Sequence, residues 1–266
     1  MVGQSAQPNI ISSPWSQWLA FRADPQAWQS LITGEFMPPV APCIDPRIAE
    51  IAPGFRLLSI TVEAGPIRHP EVASAMLAQA CVAVTAGLPV WAEAHMAGWA
   101  EIFKLFGAKP QRTPCSADAL RKRVLRDGSL PSIDPVVDLY NAVSIQYAVP
   151  VGGENYGAYA GVPHLTIADG SERFDTFKDG ALTDESPDQG EVIWRDEEGV
   201  TCRRWNWRQG VRTRLDAEAQ QMWFILEGLP SMPLEALEAA GSALIRGLQE
   251  MMPDARIEQQ LLESQA

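Results

Sequence analysis

The spacing of apolar residues changes along the chain, and this change is the feature that most constrains the fold. Up to Pro150 most segments repeat apolar residues at helical intervals, whereas later segments are short and alternate between apolar and polar residues. Two segments interrupt this order: residues 55–62 (FRLLSITV) are typical of a buried strand, and a last amphipathic helix begins at Pro233. Helices grouped largely before strands indicate an α+β fold rather than a doubly wound sheet.

Residues that commonly cap or end helices mark the boundaries of the predicted elements. Helices are predicted at 69–85, 89–106, 116–128 and 134–150, and strands at 163–168, 171–177, 191–207 and 221–229. We expect Ser116 and Asp134 to cap the third and fourth helices, and Gly128 to end the third. Residues 196–199 are expected to form a hairpin turn within the segment 191–207.

The sequence offers little for a metal or a nucleotide cofactor. Four cysteines and three histidines lie at wide spacings without a Cys-x-x-Cys pair, so we expect no metal site. Glycine-rich phosphate loops are also missing, so we expect no cofactor. No apolar run approaches the roughly 20 residues that cross a bilayer, and the first residues do not resemble a secretion signal. We therefore predict a cytoplasmic protein that does not enter a membrane.

Basic residues are concentrated in two short segments of a chain whose formal net charge is −12. Seven of the 21 Lys and Arg residues lie at 104–126, and six more lie at 195–214. Phosphate binding requires such local clusters, whatever the total charge. RNA binding is therefore predicted for Arg121, Lys122, Arg123, Arg208 and Arg212. The alternative is that these residues form solvated faces that balance neighbouring acids.

The segment 202–209 (CRRWNWRQ) combines arginine and tryptophan in one short strip. In a strand its side chains would alternate between two faces. One face would carry Arg203, Trp205 and Trp207, and the other Arg204, Asn206 and Arg208. Arginine binds phosphate and tryptophan stacks on bases, which favours a binding site. In the alternative, the tryptophans fill the core and the arginines pair with acids.

Three motifs follow one another in a distinctive order: D-x-x-N at 138–141, P-x-G-G-E at 150–154 and R-R-W-N-W at 203–207. Their order and spacing resemble the B3/B4 editing domain of the bacterial phenylalanyl-tRNA synthetase beta chain, in its free-standing form. The resemblance implies a layered α+β domain with a mixed or antiparallel β core flanked by helices. It divides the chain into an N-terminal extension (1–45), a B3/B4-like domain (46–250) and a C-terminal tail (251–266) that frays after Pro253.

The resemblance implies hydrolysis, in trans and without a cofactor, of the ester that joins a wrong amino acid to tRNA. The expected partner is the aminoacylated 3′ end of tRNA, and DNA is not expected. The sequence departs from the synthetase at two positions, since Gly152 replaces a histidine and Gln209 a glutamate of the editing pocket. Two alternatives stay open: a tRNA- or RNA-binding module without catalysis, and a binder or hydrolase of a free amino-acid derivative.

The motif residues receive roles from this resemblance. Catalysis is assigned to Asn141, Glu154 and Gln209. Substrate binding is assigned to Tyr140, Gly152, Gly153, Arg203, Arg204, Trp205, Asn206 and Trp207. Each has a simpler alternative: Asn141 as a helix-terminal hydrogen-bonding residue, the glycine pair as a tight turn, and Glu154 as an exposed loop acid rather than a site for the substrate ammonium. If the roles are right, the three motifs converge on one cavity.

Overall fold

Six α-helices and eleven strands are found in the described residues of a computed structural model, which are 39–87, 89–178 and 180–264. The helices are α1 (Arg47–Ile51), α2 (Glu71–Ala86), α3 (Ala92–Leu105), α4 (Ser116–Asp127), α5 (Pro135–Tyr147) and α6 (Leu234–Met251). The strands are β1 (Cys43–Ile44), β2 (Arg56–Glu63), β3 (Val151–Asn155), β4 (His164–Ile167), β5 (Phe174–Lys178), β6 (Ala181–Glu185), β7 (Val192–Arg195), β8 (Val200–Arg203), β9 (Arg208–Gln209), β10 (Gln221–Gly228) and β11 (Arg256–Glu263). The predicted extension 1–45 lies outside the described residues except for its last seven positions.

The strands form two main sheets and one separate hairpin. One sheet has the order β1-β4-β7-β8-β9, and its only parallel pair among the described strands is β1 with β4. The other sheet has the order β11-β2-β10-β3 and is antiparallel throughout. Strands β5 and β6 pair only with each other within the described chain. The mixed and antiparallel sheets with flanking helices confirm the predicted α+β class.

Strand β10 separates the two main parts of the core because its side chains alternate between two faces. Met222, Phe224 and Leu226 pack in the cluster that includes α5 and α6. Trp223 and Ile225 face the other way, into a cluster that includes α3 and the five-stranded sheet. This second face of β10 is the one that contributes to the candidate site.

Local capping signals predicted some helix ends correctly. The carboxylate of Asp134 accepts hydrogen bonds from the backbone N–H groups of Val136 (2.8 Å) and Val137 (3.4 Å), and α5 starts at the following proline. Gly128 ends α4 in the left-handed region, with φ of 82°. The prediction that Ser116 caps α4 is wrong, because Ser116 is already helical and Cys115 occupies the capping position.

The predicted fraying after Pro253 is also wrong. β11 pairs with β2 over eight residues and forms an edge of the four-stranded sheet. Ile257, Leu261 and Leu262 pack against the two core clusters, whereas most other residues of β11 are exposed. This strand is polar because it lies at an edge, and its composition therefore resembles that of a tail.

Helix α6 approaches β2 so closely that Gly241 has no room for a side chain. A Cβ atom at this position would lie 2.2 Å from Cδ2 of Leu58, which is itself buried. Replacing a helical glycine by alanine normally stabilises a helix by about 1 kcal/mol. We expect Gly241→Ala instead to lower the free energy of unfolding by about 1–3 kcal/mol, because the close packing is lost.

Urea denaturation of Gly241→Ala and of the control Ser242→Ala on the same helix measures this effect. The control gains helix propensity without meeting Leu58. Equal or higher stability of Gly241→Ala would contradict the proposed close packing.

Candidate functional site

The three predicted motifs meet around one cavity of about 270 Å³. Helix α5 and strand β3 contribute Tyr140, Asn141, Gly152, Gly153 and Glu154 to its wall. The arginine-tryptophan strip contributes Trp205, Asn206, Trp207, Arg208 and Gln209. This volume lies just below the range for small-molecule sites, about 300–1,000 Å³. The cavity is therefore matched to a compact ligand or to one end of a larger one.

The strip is a turn between two short strands, so the prediction of one continuous strand is wrong. β8 ends at Arg203, and β9 begins at Arg208 and pairs with it. Arg204 and Trp205 have φ of 47° and 65°, which is uncommon for residues other than glycine. The backbone N–H of Trp205 donates to the carbonyl of Val192 at 2.6 Å and holds this conformation. Because of the turn, consecutive residues from Trp205 onward reach the same cavity instead of alternating between faces.

Glu191 fixes the first two arginines of the strip away from the cavity. Its carboxylate accepts from Nε and Nη2 of Arg203 at 3.0 and 2.8 Å, and from the backbone N–H of Arg204 at 2.9 Å. Both Glu191 and Arg203 are buried. Arg203 and Arg204, which were predicted to bind the substrate, therefore lie outside the cavity wall. Arg203 instead forms a structural ion pair with Glu191.

Glu227 is a cavity residue that the sequence reasoning missed. It is 2% exposed, and its Oε1 accepts from the indole N–H groups of Trp194 (3.0 Å) and Trp205 (2.9 Å). Its Oε2 accepts from Nδ2 of Asn206 at 2.8 Å. Burial raises the pKa of Glu227 to about 7, although these three donors oppose the shift. A single acid within the apolar segment QMWFILEGL was the available signal, because buried charges require partners.

Glu154 is buried in the cavity wall and is not an exposed loop acid. It is 3% exposed, and its Oε2 has no hydrogen-bond partner among the described residues. Burial raises the pKa of Glu154 to about 8, against the opposing effects of Thr213, Gln209 and the guanidinium of Arg212. The side chain is therefore largely uncharged near neutral pH in the empty cavity. It becomes a carboxylate readily when a cation approaches.

Unpaired polar atoms are concentrated at this cavity. In the described part of the chain, four buried side-chain atoms lack a hydrogen-bond partner: Ser116 Oγ, Glu154 Oε2, Asn206 Oδ1 and Thr213 Oγ1. Three of them belong to residues that line the cavity. Because buried polar atoms are nearly always paired in native proteins, these three atoms point to a ligand or to bound water.

Two other predicted site residues, Gln209 and Asn141, lie in the cavity wall. Gln209 donates from Nε2 to the carbonyl oxygen of Gly153 at 2.7 Å and so joins the strip to β3. Asn141 lies in the middle of α5, and its side chain has no hydrogen bond to any described residue. Its amide is therefore not used to cap a helix end.

Cys202 also lines the cavity, but burial raises the pKa of its thiol well above the usual value, which makes it a poor nucleophile.

The predicted RNA-binding residues divide into two groups. Arg121 is buried and donates to the carbonyl of Ile145 at 3.3 Å, and Arg212 binds the carboxylate of Asp196 through both Nη atoms at 2.9 and 2.7 Å. These two guanidinium groups are therefore committed to the protein itself. Lys122 and Arg123 are exposed on α4, with ion pairs at 2.7 and 3.8 Å to acids one helical turn away. Such exposed pairs are weak and leave both side chains accessible to phosphate.

Arg208 is the predicted RNA-binding residue that lines the cavity. It donates from Nη2 to the carbonyl of Phe177 at 3.1 Å, and its guanidinium lies 5.8 Å from the ring centre of Trp207. The guanidinium of Arg204 lies 4.6 Å from the centre of the same ring. Both arginines therefore hold Trp207 in place through cation–π contacts.

The histidines lie away from the cavity wall. His95 is buried, and burial lowers its pKa to about 4. Its Nδ1 hydrogen-bonds the carbonyl of Ala148 at 2.8 Å, while its Nε2 accepts from Leu229 N–H and from the Trp99 indole. His95 is therefore a neutral core residue.

Within the described residues, no group of three potential ligands could hold a metal ion, and no helix is long and apolar enough to cross a membrane.

The two glycines of β3 provide a matched pair of substitutions. A Cβ atom on Gly153 would lie 2.8 Å from Cε1 of Tyr140 and 3.0 Å from Leu215, whereas one on Gly152 would meet only Ile225, at 3.6 Å. We expect Gly153→Ala to lower the free energy of unfolding by about 1–3 kcal/mol, because it overpacks the α5 contact. Gly152→Ala should leave stability nearly unchanged. Urea unfolding of both variants checks this difference, and equal losses would contradict it.

Glu154 should make stability depend on pH in a defined direction. Its pKa of about 8 in the folded protein exceeds the ordinary value of 4.5, so the folded state retains a proton that the unfolded chain releases. The resulting stabilisation is complete below about pH 4.5 and is lost as the pH rises through 8. Relative to Glu154→Gln, the wild-type protein should lose up to about 4 kcal/mol between pH 5 and 8. Urea unfolding at several pH values tests this, and parallel curves would contradict it.

Comparisons with known proteins assign the chain to a family. The family model described as the B3/4 domain matches residues 98–236, more than half of the 266 residues. The chain is also similar to the solved N-terminal fragment of the phenylalanyl-tRNA synthetase beta-subunit from Pyrococcus horikoshii, at 11% identity and a TM-score of 0.43. That match covers 87% of this chain and 57% of the other. A search of curated proteins found no match. The chain belongs to the B3/4 domain family.

Proposed function

We propose that the protein is an aminoacyl-tRNA deacylase that acts in trans, hydrolysing the ester between a wrong amino acid and its tRNA. The observation that carries this proposal is the convergence of the three motifs on one cavity whose wall contains unpaired polar atoms. An aminoacyl ester is already activated, so a site that positions the ester and a water molecule supplies much of the required catalysis. A pocket without a strong base is adequate for this reaction.

Glu154 is the proposed site for the substrate ammonium. Its unpaired Oε2 lies in the cavity wall, and an ammonium group there would both supply the missing partner and favour the charged carboxylate. Free aminoacyl esters carry this ammonium, whereas most peptide bonds do not. This contact therefore favours an aminoacyl group over an ordinary peptide.

Asn141 is the proposed catalytic amide. It lines the cavity on α5 and has no hydrogen bond to a described residue, so none of the described residues occupies its donor and acceptor atoms. An amide can accept from the attacking water or donate to the carbonyl oxygen as negative charge develops on it. Gln209 is proposed to act indirectly, by holding Gly153 and hence β3 in place.

RNA is proposed to approach the cavity along α4. Ser116, Ala119 and Leu120 in the first turns of this helix line the cavity, and Lys122 and Arg123 are exposed one turn further along. A tRNA end that places its ester in the cavity would thus bring its phosphates within reach of these cations. Because the total charge is −12, such binding depends on local groups of exposed cations such as this one.

Hydrolysis of a panel of mischarged tRNAs tests the proposed activity. We expect release of at least one amino acid well above the rate in buffer, and Asn141→Ala should lower kcat about 10-fold or more with little change in KM. The matched control is Gln146→Ala, an exposed amide on the same helix. If no amino acid is released from any tRNA, the deacylase proposal is wrong. Binding without turnover would instead support an RNA-binding module, and hydrolysis of free amino-acid esters alone would support the third alternative.

The salt dependence of tRNA binding tests the proposed approach along α4. Each phosphate contact contributes about one unit to the slope of log K against log salt concentration. We expect Lys122→Ala and Arg123→Ala each to reduce that slope by about 1. Arg246→Ala on α6 is the control and should leave it unchanged, since this exposed arginine lies outside the proposed surface. Filter binding between 50 and 200 mM salt measures the slopes, and identical slopes for all variants would place the RNA elsewhere.

A further inference from the structure

Two buried carboxyl groups line the cavity, and the sheet register separates them along the strand direction, so that their positions define two ends of the cavity. In the sheet, Glu154 lies opposite Trp223 and Gly152 lies opposite Ile225. Glu227 is four residues beyond Trp223 on the same face of β10 and also lines the cavity. Four residues of a strand correspond to roughly 13 Å. Gly152 leaves the floor between the two acids open, because it carries no side chain.

The free atoms at both ends are hydrogen-bond acceptors. A carboxylate offers about four acceptor positions, and three protein donors occupy three of those on Glu227. Asn206 uses its Nδ2 for this contact, which leaves its Oδ1 as an unpaired acceptor. At the opposite end, Oε2 of Glu154 is unpaired. Since the two ends are too far apart to share one ammonium, they require two separate donor groups on the ligand.

The cavity wall at the Glu227 end is aromatic and also suits a cation. Trp194 and Trp205 line the cavity beside Glu227 and direct their indole N–H groups at its carboxylate. Tryptophan rings attract cations at their faces. The one cationic side chain in the described cavity wall, Arg208, is held by the Phe177 carbonyl and Glu185. The far end of the cavity therefore has acceptors and aromatic rings without a protein cation of its own.

We propose that the cavity selects an amino acid with a basic side chain, with the α-ammonium at Glu154 and the side-chain cation at Glu227 and Asn206. The ester and its hydrolysis rest on the proposed function, whereas recognition of the two cations does not. An apolar side chain would leave Asn206 Oδ1 unpaired, and an acidic one would meet the carboxylate of Glu227. Sites built around such polar contacts strongly reject analogues that lack them.

Binding of free amino-acid amides to the wild-type protein tests this selection without RNA. L-lysinamide and L-norleucinamide have side chains with the same four-carbon stem and differ in the terminal ammonium, while L-phenylalaninamide provides a bulky apolar comparison. By calorimetry we expect lysinamide to bind about 10-fold or more tightly than either of the others. Equal or tighter binding of norleucinamide or phenylalaninamide overturns the proposal, as does the absence of binding by all three.

The variant Glu227→Gln identifies the group responsible. It keeps the shape of the side chain and removes the charge, so the preference for lysinamide over norleucinamide should fall to about 3-fold or less. Glu250→Gln, an exposed glutamate on α6, is the control and should keep the full preference. An unchanged preference in Glu227→Gln would assign the selectivity to another group and overturn this part of the proposal. If Glu227→Gln does not fold, the comparison of amides on the wild-type protein still decides.

Mischarged tRNA separates this inference from the proposed function. A preference for lysinamide without hydrolysis of any aminoacyl-tRNA would remove the deacylase activity and leave the selection of a basic amino acid standing. Hydrolysis confined to tRNAs that carry apolar or acidic amino acids would support the deacylase activity and overturn the selection of a basic amino acid. Hydrolysis of tRNAs that carry basic amino acids, lost in Glu227→Gln, would support both.

Discussion

The carboxylate of Glu227 is the contact on which the geometry of the cavity depends. It lies on β10 of the four-stranded sheet and accepts from Trp194 on β7 of the other sheet, and from Trp205 and Asn206 in the turn after β8. One buried acid thus joins two sheets and a turn through three hydrogen bonds. Removing one member of such a network leaves the others unpaired in a dry environment, which is costly. The position of the strip relative to β3 and β10 follows from this network.

Local features of the fold were predictable, whereas contacts between distant segments were not. The Asp134 cap, the Gly128 helix end and the strand nature of β10 depend on neighbouring residues, and the sequence shows them directly. The left-handed turn at Arg204 and Trp205 depends on Glu191 and Val192, which hold the backbone from another strand. No local propensity favours that conformation for arginine or tryptophan. The alternation expected of a strand therefore placed Arg203 on one face with Trp205 and Trp207, whereas Arg203 pairs with the buried Glu191.

The candidate site divides in the same way. The family motifs located Asn141, Glu154 and the glycine pair, because these residues occur close together in the chain. Glu227 and Ser116 also line the cavity, yet neither belongs to a motif, and each reaches the site only through the packing of β10 and α4. One usable signal for Glu227 was present in the sequence, which is a single acid within an apolar segment. Functional sites are often the places where local sequence rules and the global fold disagree. The candidate site fits this pattern, because its wall contains buried polar atoms without a hydrogen-bond partner.

The charge of the empty cavity follows from the same burial that leaves its atoms unpaired. Burial keeps Glu154 largely protonated at neutral pH and keeps the Cys202 thiol protonated. The empty cavity therefore holds no strong base at that end. An ammonium group placed beside Glu154 would favour its ionised form. Binding of such a group would offset the stability lost when Glu154 ionises, so any recognition of an amine at this position is linked to the charge state of the site.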